Sequence, residues 1–325
     1  MASTSPESDM SPINEPCDVV VIIVSYECRD LVVACVERIT TTRWRHQVDV
    51  LVVDNGSTDG TQAAISDRCP VVQMGLNAGF AVANNTGFAM SRSRHVLVLN
   101  PDTLVDAGSI DLLVDFLDAH PEAGVVAPRL VNPDGSDQLT ARAFPTPWAA
   151  LFGRRSPLTR WFPNNRFSVA FLAGRDAPGD GPFQVDWVSG AAMAVPRSVI
   201  DLTGGFDSEF FMFWEDADWC HRIIDSGRTI WCQPAALVVH DEGGTRSKRY
   251  SPRLIRSFHM GAYLYWRNHH ASQPWNPGRW LAATALGTRA AFLIVIERVR
   301  EARLSGPPSI SPASVSYVAP QTPAR

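Results

Sequence analysis

The sequence predicts an α/β fold: a mostly parallel central sheet flanked by helices, with a helical extension at the C-terminal end. Three observations carry this. Continuous apolar, largely β-branched runs recur at 18–24 (DVVVIIV), 48–54 (VDVLVVD) and 95–100 (HVLVLN), the pattern of strands buried on both faces. Segments of helical length separate them, as in βαβ units with right-handed crossovers. The strands end at Ser25, Asp54 and Asn100, at the carboxyl edge where such sheets bind ligands.

In chain order, 1–17 read as a flexible leader. The first strand is followed by a helix over about 28–41, and the second by a helical segment, TDGTQAAISDRC. A short strand, VVQM, leads to AGFAVANNTGFAMSR, a helix with small residues on one side. After HVLVLN come a helix over 108–120 and the strand GVVAPRLV. The stretch 144–182 mixes Pro, Gly, Arg and aromatics without period and reads as a long loop over the active face. VDWVSGAAMAV is a strand broken by small residues, and RTIWCQPAALVVH reads as two short strands ending on His240. Helices are expected over 253–270 and 279–303, and the Ser- and Pro-rich segment from 305 as disordered tail. The organisation is thus 1–17 leader, 18–250 catalytic domain, 251–304 C-terminal helices and 305–325 tail.

The chain of 325 residues carries a net charge of −4, which gives no basic field to draw it to nucleic acid. Its six cysteines form no CxxC pair, as expected of reduced thiols in the cytoplasm. The polar N-terminal segment has no signal-peptide core.

Four places concentrate chemistry. Asp54 precedes NGSTDGT, whose turn leaves the carboxylate at the sheet rim, able to meet a ribose or base, or to cap the next helix. Asp102, in NPDT, suits a hard divalent cation completed by diphosphate oxygens, or an ordinary turn. His240 ends an apolar strand and is followed by DEGGTRSKR, a solvated loop or a cationic flap over phosphate. In FFMFWEDADW, Glu215, Asp216 and Asp218 follow an aromatic run. A helix N-terminus accounts for acids there, but apolar neighbours raise a carboxyl pKa and so suit a general base.

In the order VIIVSY, VVDNGSTDGT, LNAGFAVANNTGF, LNPDT, VSGAAMAV, GGFDSEFFMFWEDADWCHR and VVHDEGGT, the chain resembles the family 2 glycosyltransferases of the GT-A fold, a Rossmann-like sheet, over about 18–250. Within them it is most similar to the bacterial rhamnosyltransferase branch that builds cell-wall linkers and polysaccharides, with galactofuranosyltransferases as near relatives. The resemblance implies an inverting transfer from a nucleotide-diphosphate sugar, thymidine-diphosphate rhamnose or a uridine-diphosphate sugar, to a lipid-linked or glycan acceptor. It implies that Ser25, Asp54, Asn77, Gly79, Asn84, Asn100 and Arg246 lie on the donor side. Asn100 stands where the Asp-x-Asp motif has its first acid, so Asp102 and His240 become the ligands of Mg2+ or Mn2+. Asp216 becomes the base with Glu215 in support, and Phe206, Asp207 and Trp214 face the acceptor.

Other classes fit less well. A metal-dependent hydrolase lacks an HExxH-type pair. A nicotinamide dehydrogenase needs GxGxxG where VSYECRD stands. A non-catalytic nucleotide-sugar-binding module would tolerate loss of Asp216. The segment 279–303 is apolar in its middle, but Arg289 leaves its uninterrupted part short of a span. Packing on the catalytic domain is the ordinary reading, and an interfacial helix on the membrane is the alternative.

Overall fold

The computed structural model describes residues 17–138, 140–144, 181–241 and 251–304. In chain order the elements are β1 (Val19–Ser25), α1 (Arg29–Thr41), β2 (Val48–Asp54), α2 (Thr61–Ile65), β3 (Val71–Gln73), α3 (Phe80–Ala89), β4 (His95–Leu99), β5 (Thr103–Val105), α4 (Ser109–Ala119), β6 (Ala123–Val131) and β7 (Ala141–Arg142). After them come β8 (Phe183–Val185), β9 (Trp187–Val188), β10 (Ala192–Pro196), α5 (Arg197–Thr203), α6 (Glu215–Asp225), β11 (Thr229–His240), α7 (Pro252–His269) and α8 (Pro277–Leu304). The expected α/β architecture with C-terminal helices is present.

A nine-stranded sheet runs β3-β2-β1-β4-β10-β6-β11-β5, with β8 also on β11. The run β3-β2-β1-β4 is parallel, as is the β6–β11 pair. Strand β10 lies antiparallel between β4 and β6. Periodicity tells a strand from a helix but carries no signal for pairing direction, so this insertion is not visible in the sequence.

Alternation along β1 builds two cores. Val20 and Ile22 join Phe88, Val98, Phe206 and Trp219 on one face, while Val21 and Ile23 join Val36, Leu97, Leu113 and Phe116 on the other. The small face of α3 has a direct cause: a Cβ on Gly87 would lie 2.6 Å from Cγ2 of Ile22, so the helix rests on β1 at glycine distance.

Three local expectations are revised. RTIWCQPAALVVH is one strand, β11, whose register shifts between Gln233 and Leu237 and so takes up Pro234. The three-residue β5 and the seven-residue α5 were not anticipated. The leader, the tail, most of the 144–182 stretch and the basic run 246–249 lie outside the described residues.

Ser251 caps α7, its side chain accepting from the Leu254 N–H, with Pro252 in the first turn. Helix α8 meets α7 along a narrow strip of Ile255, Leu293, Ala290 and Ile294. Much of the rest of its described surface is open to solvent, with Trp280 73%, Leu281 74% and Phe292 65% exposed. Packing on the catalytic domain therefore does not bury this helix. By length and composition, 277–301 is also apolar enough to cross a membrane, which corrects the reading that Arg289 leaves it too short.

Candidate active site

The site is assembled along the carboxyl edge of the parallel strands. Ser25 pairs with Asp54 in the β1–β2 register, and both are buried. Asp54 accepts from the Ser57 N–H at 3.1 Å and from Nε2 of Gln73 at 3.1 Å, so it closes its own turn and does not cap α2. The N-cap of α2 is Gly60, and Asp59 just before it accepts from the Thr61 N–H at 3.0 Å. Asn55, which the sequence reading passed over, holds the neighbouring loop. Its amide donates to Oδ1 of Asn77 and to the Gly79 carbonyl, and its Oδ1 accepts from the Ala78 N–H.

That loop explains the glycine at 79. Gly79 has φ +94, and a Cβ there would lie 2.4 Å from the Phe211 carbonyl oxygen. The same oxygen accepts from the Phe80 N–H at 2.7 Å. The 77–80 loop is thereby fastened to the aromatic run 210–214, 130 residues away in sequence. Asn77 is engaged in this turn. Asn84 is fully buried and donates to the Phe80 carbonyl at 2.9 Å.

Asp102 and His240 come together because β5 pairs antiparallel with β11, setting His240 opposite Thr103. Nε2 of His240 lies 3.3 Å from Oδ1 of Asp102, and both side chains are almost wholly buried. On the other side of the ring, Nδ1 faces Oε1 of Gln138 at 2.8 Å, while Nε2 of Gln138 donates to the His240 carbonyl. An amide oxygen can only accept, so Nδ1 carries a proton, and Nε2 is the ring nitrogen that faces Asp102. An imidazole so fixed is the usual form of a metal-binding histidine. The 3.3 Å separation matches two atoms about 2.0–2.2 Å from one ion. This donor set fits a divalent cation.

Asp216 sits at the first turn of α6, half-buried, with both carboxylate oxygens engaged. Oδ2 accepts from the Gly190 N–H at 3.0 Å and Oδ1 from the Ala217 N–H at 2.8 Å. Burial pushes its pKa above the ordinary carboxylate range, against the pull of those N–H groups and of the Arg142 charge. Gly190 precedes β10, and the next carbonyl, Ala191, accepts from the Asn100 N–H at 2.9 Å. Asn100 in turn stands two residues before Asp102, so a short run of backbone links the Asp216 carboxylate to the Asp102–His240 pair along one rim.

The three acids of the 215–218 cluster divide by environment. Glu215 is buried at the helix start. Asp218 is fully buried and accepts from Nε2 of His269 at 2.8 Å, Nε of Arg222 at 2.9 Å and the Asn268 amide at 3.2 Å. Burial alone would raise its pKa, but the His269 and Arg222 contacts outweigh it and the carboxyl lies below its ordinary value. Asp218 is an anchor for α7, whereas Asp216 is held at the rim.

The aromatic run is strained. Phe213 and Trp214, neither of them glycine, have φ of 73° and 74°, a conformation that costs about 1–3 kcal/mol per residue and gathers at functional sites. Helix α7 holds it in place: a Cβ on Gly261 would lie 2.5 Å from the Phe213 carbonyl oxygen, and the Trp214 ring packs on Phe258 and Tyr265.

One expectation fails on packing. Phe206 does not face an acceptor. It is 2% exposed and lies among Phe80, Phe88 and Trp219, with the Trp219 ring centroid at 4.4 Å. Asp207 closes the following turn, its Oδ1 accepting from the Glu209 N–H at 2.9 Å. Arg246 lies outside the described residues. Arg142, which the sequence reading missed, stacks over Trp187 at 4.9 Å.

Comparison with known proteins follows the same lines. The Glycosyl transferase family 2 profile matches residues 20–177. An N-acetylglucosaminyl-diphospho-decaprenol L-rhamnosyltransferase of Mycobacterium tuberculosis is 32% identical over 261 residues, 76% of this chain and 83% of that protein. Among solved structures, the mannosyltransferase PcManGT from Pyrobaculum calidifontis, in complex with GDP-Man and Mn2+, superposes with TM-score 0.54 at 18% identity, covering 91% of this chain and 83% of that one. GalNAc-T7 with UDP, GalNAc and Mn2+ also gives TM-score 0.54, at 14% identity, over 75% of this chain and about half of its own, 48%.

Proposed function

The chain belongs to glycosyl transferase family 2, and on that premise we propose that it moves L-rhamnose from thymidine-diphosphate rhamnose, with inversion, to a lipid-linked or polysaccharide acceptor in cell-envelope glycan synthesis. The observation that carries this reading is the carboxylate of Asp216, raised in pKa by burial and joined through Gly190–Ala191 and Asn100 to the Asp102–His240 pair.

The reaction is one displacement. Asp216 takes the proton of an acceptor hydroxyl, that oxygen bonds to the anomeric carbon, and the bond from that carbon to the diphosphate oxygen breaks on the opposite face. The nucleoside diphosphate leaves with the bond electrons, through a transition state of oxocarbenium character. Two N–H groups keep the Asp216 carboxylate oriented, while its remaining lone pairs stay available to the acceptor. Asp102 and His240 would hold Mg2+ or Mn2+, which supplies charge neutralisation for the leaving diphosphate. Ser25 and Asp54 stand where the nucleoside lies in a parallel sheet of this kind.

The exposed apolar side chains of α8, interleaved with Arg279, Arg289 and Arg298, fit peripheral contact with the cytoplasmic face of a membrane carrying a prenyl-linked acceptor. Flotation with anionic vesicles checks this: the full chain should float and a chain ending at 276 should not, and equal partition of the two refutes the contact.

The enzymatic test is a donor panel. Nucleoside diphosphate release is measured from thymidine-diphosphate rhamnose and from uridine-diphosphate sugars including galactofuranose, with a prenyl-diphosphate sugar acceptor, with and without Mn2+. Metal-dependent release from the rhamnose donor supports the proposal. Preference for a uridine-diphosphate sugar moves the donor, and binding without release in any arm makes the protein a non-catalytic module.

A further inference from the structure

On the opposite side of α6 from Asp216 lies a second cluster. His221 and Asp225 are one helical turn apart on α6, with Nδ1 of His221 3.2 Å from Oδ2 of Asp225. The His269 ring, at the end of α7, stacks on His221 with centroids 3.9 Å apart. One ligand atom from each of the three residues lies within 4.8 Å of the others. A second observation is independent of that spacing. Buried Asp218 accepts from Nε2 of His269 at 2.8 Å, which places a proton on Nε2 and makes Nδ1 the ring nitrogen that could bind an ion. A buried carboxylate behind an imidazole is the arrangement that orients and strengthens metal-binding histidines. Of the cations lining the cavity beside this cluster, Arg222 bonds Asp218 and two carbonyls and Arg267 pairs with Glu209, while Arg279 stands at the same cavity as Asp225 and His269.

We propose that His221, Asp225 and His269 form a site for a transition-metal ion of the Zn2+ type, separate from the Asp102–His240 pair. Two imidazoles and one carboxylate suit Zn2+, Ni2+ or Cu2+ and disfavour Mg2+. The ion ties α6, which carries Asp216, to α7, which braces the strained Phe213–Trp214 turn. It is a clamp on the catalytic helix and takes no part in the chemistry.

The test uses the full chain carrying Asp102→Asn, so that the rim pair is disabled, stripped with chelator and titrated calorimetrically with Zn2+. One equivalent should bind and raise the melting temperature. His221→Ala and Asp225→Asn should each weaken binding at least about tenfold, with circular dichroism confirming the fold. Absence of binding in the parent, or unchanged binding in the His221→Ala/Asp225→Asn double variant, overturns the site. If the double variant does not fold, Cu2+ loaded on the parent decides: electron paramagnetic resonance should show coupling to two nitrogens, and one or none refutes the proposal.

Discussion

Gly79→Ala perturbs the joint between the donor loop and the aromatic turn. Gly79 has φ +94 and ψ 172, a region open almost only to glycine, so an alanine there costs about 1–3 kcal/mol in backbone strain. The new methyl group would stand 2.4 Å from the Phe211 carbonyl oxygen and 2.8 Å from Cδ2 of the Phe211 ring. Backbone must move, and the Phe80 N–H to Phe211 carbonyl hydrogen bond is lost, at about 1 kcal/mol. The total is about 2–4 kcal/mol. At roughly 2 °C per kcal/mol for a chain of this size, the melting temperature falls by about 4–8 °C. Gly108→Ala is the control: φ is +80, but a Cβ there meets nothing within 4 Å, so only the left-handed strain of about 1–2 kcal/mol remains. Differential scanning calorimetry on both variants, with donor KM measured beside it, reads the difference. Gly79→Ala should also raise donor KM, and Gly108→Ala should not. Equal melting temperatures and unchanged KM in both would refute a tight joint between residues 79 and 211.

Asp216→Asn should keep donor binding and lower turnover by about 10²–10⁴-fold. In the parent, kcat/KM should fall on acidification through a pKa above the ordinary Asp range, because the reaction needs the carboxylate and burial raises its pKa. Asp218→Asn breaks a buried network and should cost about 3–5 kcal/mol by chemical denaturation. Its folded pKa is lowered, so its stabilisation is present above the unfolded carboxylate value and is lost as pH falls through the folded one; a parent–variant difference that persists below that range contradicts the assignment. Gln138→Ala frees the His240 ring and should weaken Mn2+ binding about 10–100-fold by calorimetry, with secondary structure unchanged.

What the sequence made legible follows from how local each signal is. Strands β1, β2 and β4 are buried on both faces, and their composition says so without tertiary context. The direction of β10 does not, since the same residues pair either way. The Asp102 and His240 positions were readable as strand-end residues, but Gln138, which orients His240, stands 102 residues away in sequence inside an unremarkable loop. Asn55 within DNGSTDGT reads locally as a turn-former, because nothing near it in sequence indicates that its amide reaches the 77–79 loop. Phe206 shows the converse error. The resemblance puts it beside the acceptor, after the turn at Gly204 and Gly205, yet the side chain points back into the core among Phe80, Phe88 and Trp219.

The reversed strand β10 marks a boundary within the sheet. The strands on its β4 side all come from the first hundred residues, and those beyond it come from the later chain. Gly190, just before that strand, is one place where the two parts touch: its N–H meets Asp216, and the next carbonyl, Ala191, accepts from the Asn100 N–H. A backbone shift at 190–191 therefore moves the Asp216 carboxylate and the Asn100–Asp102 turn together.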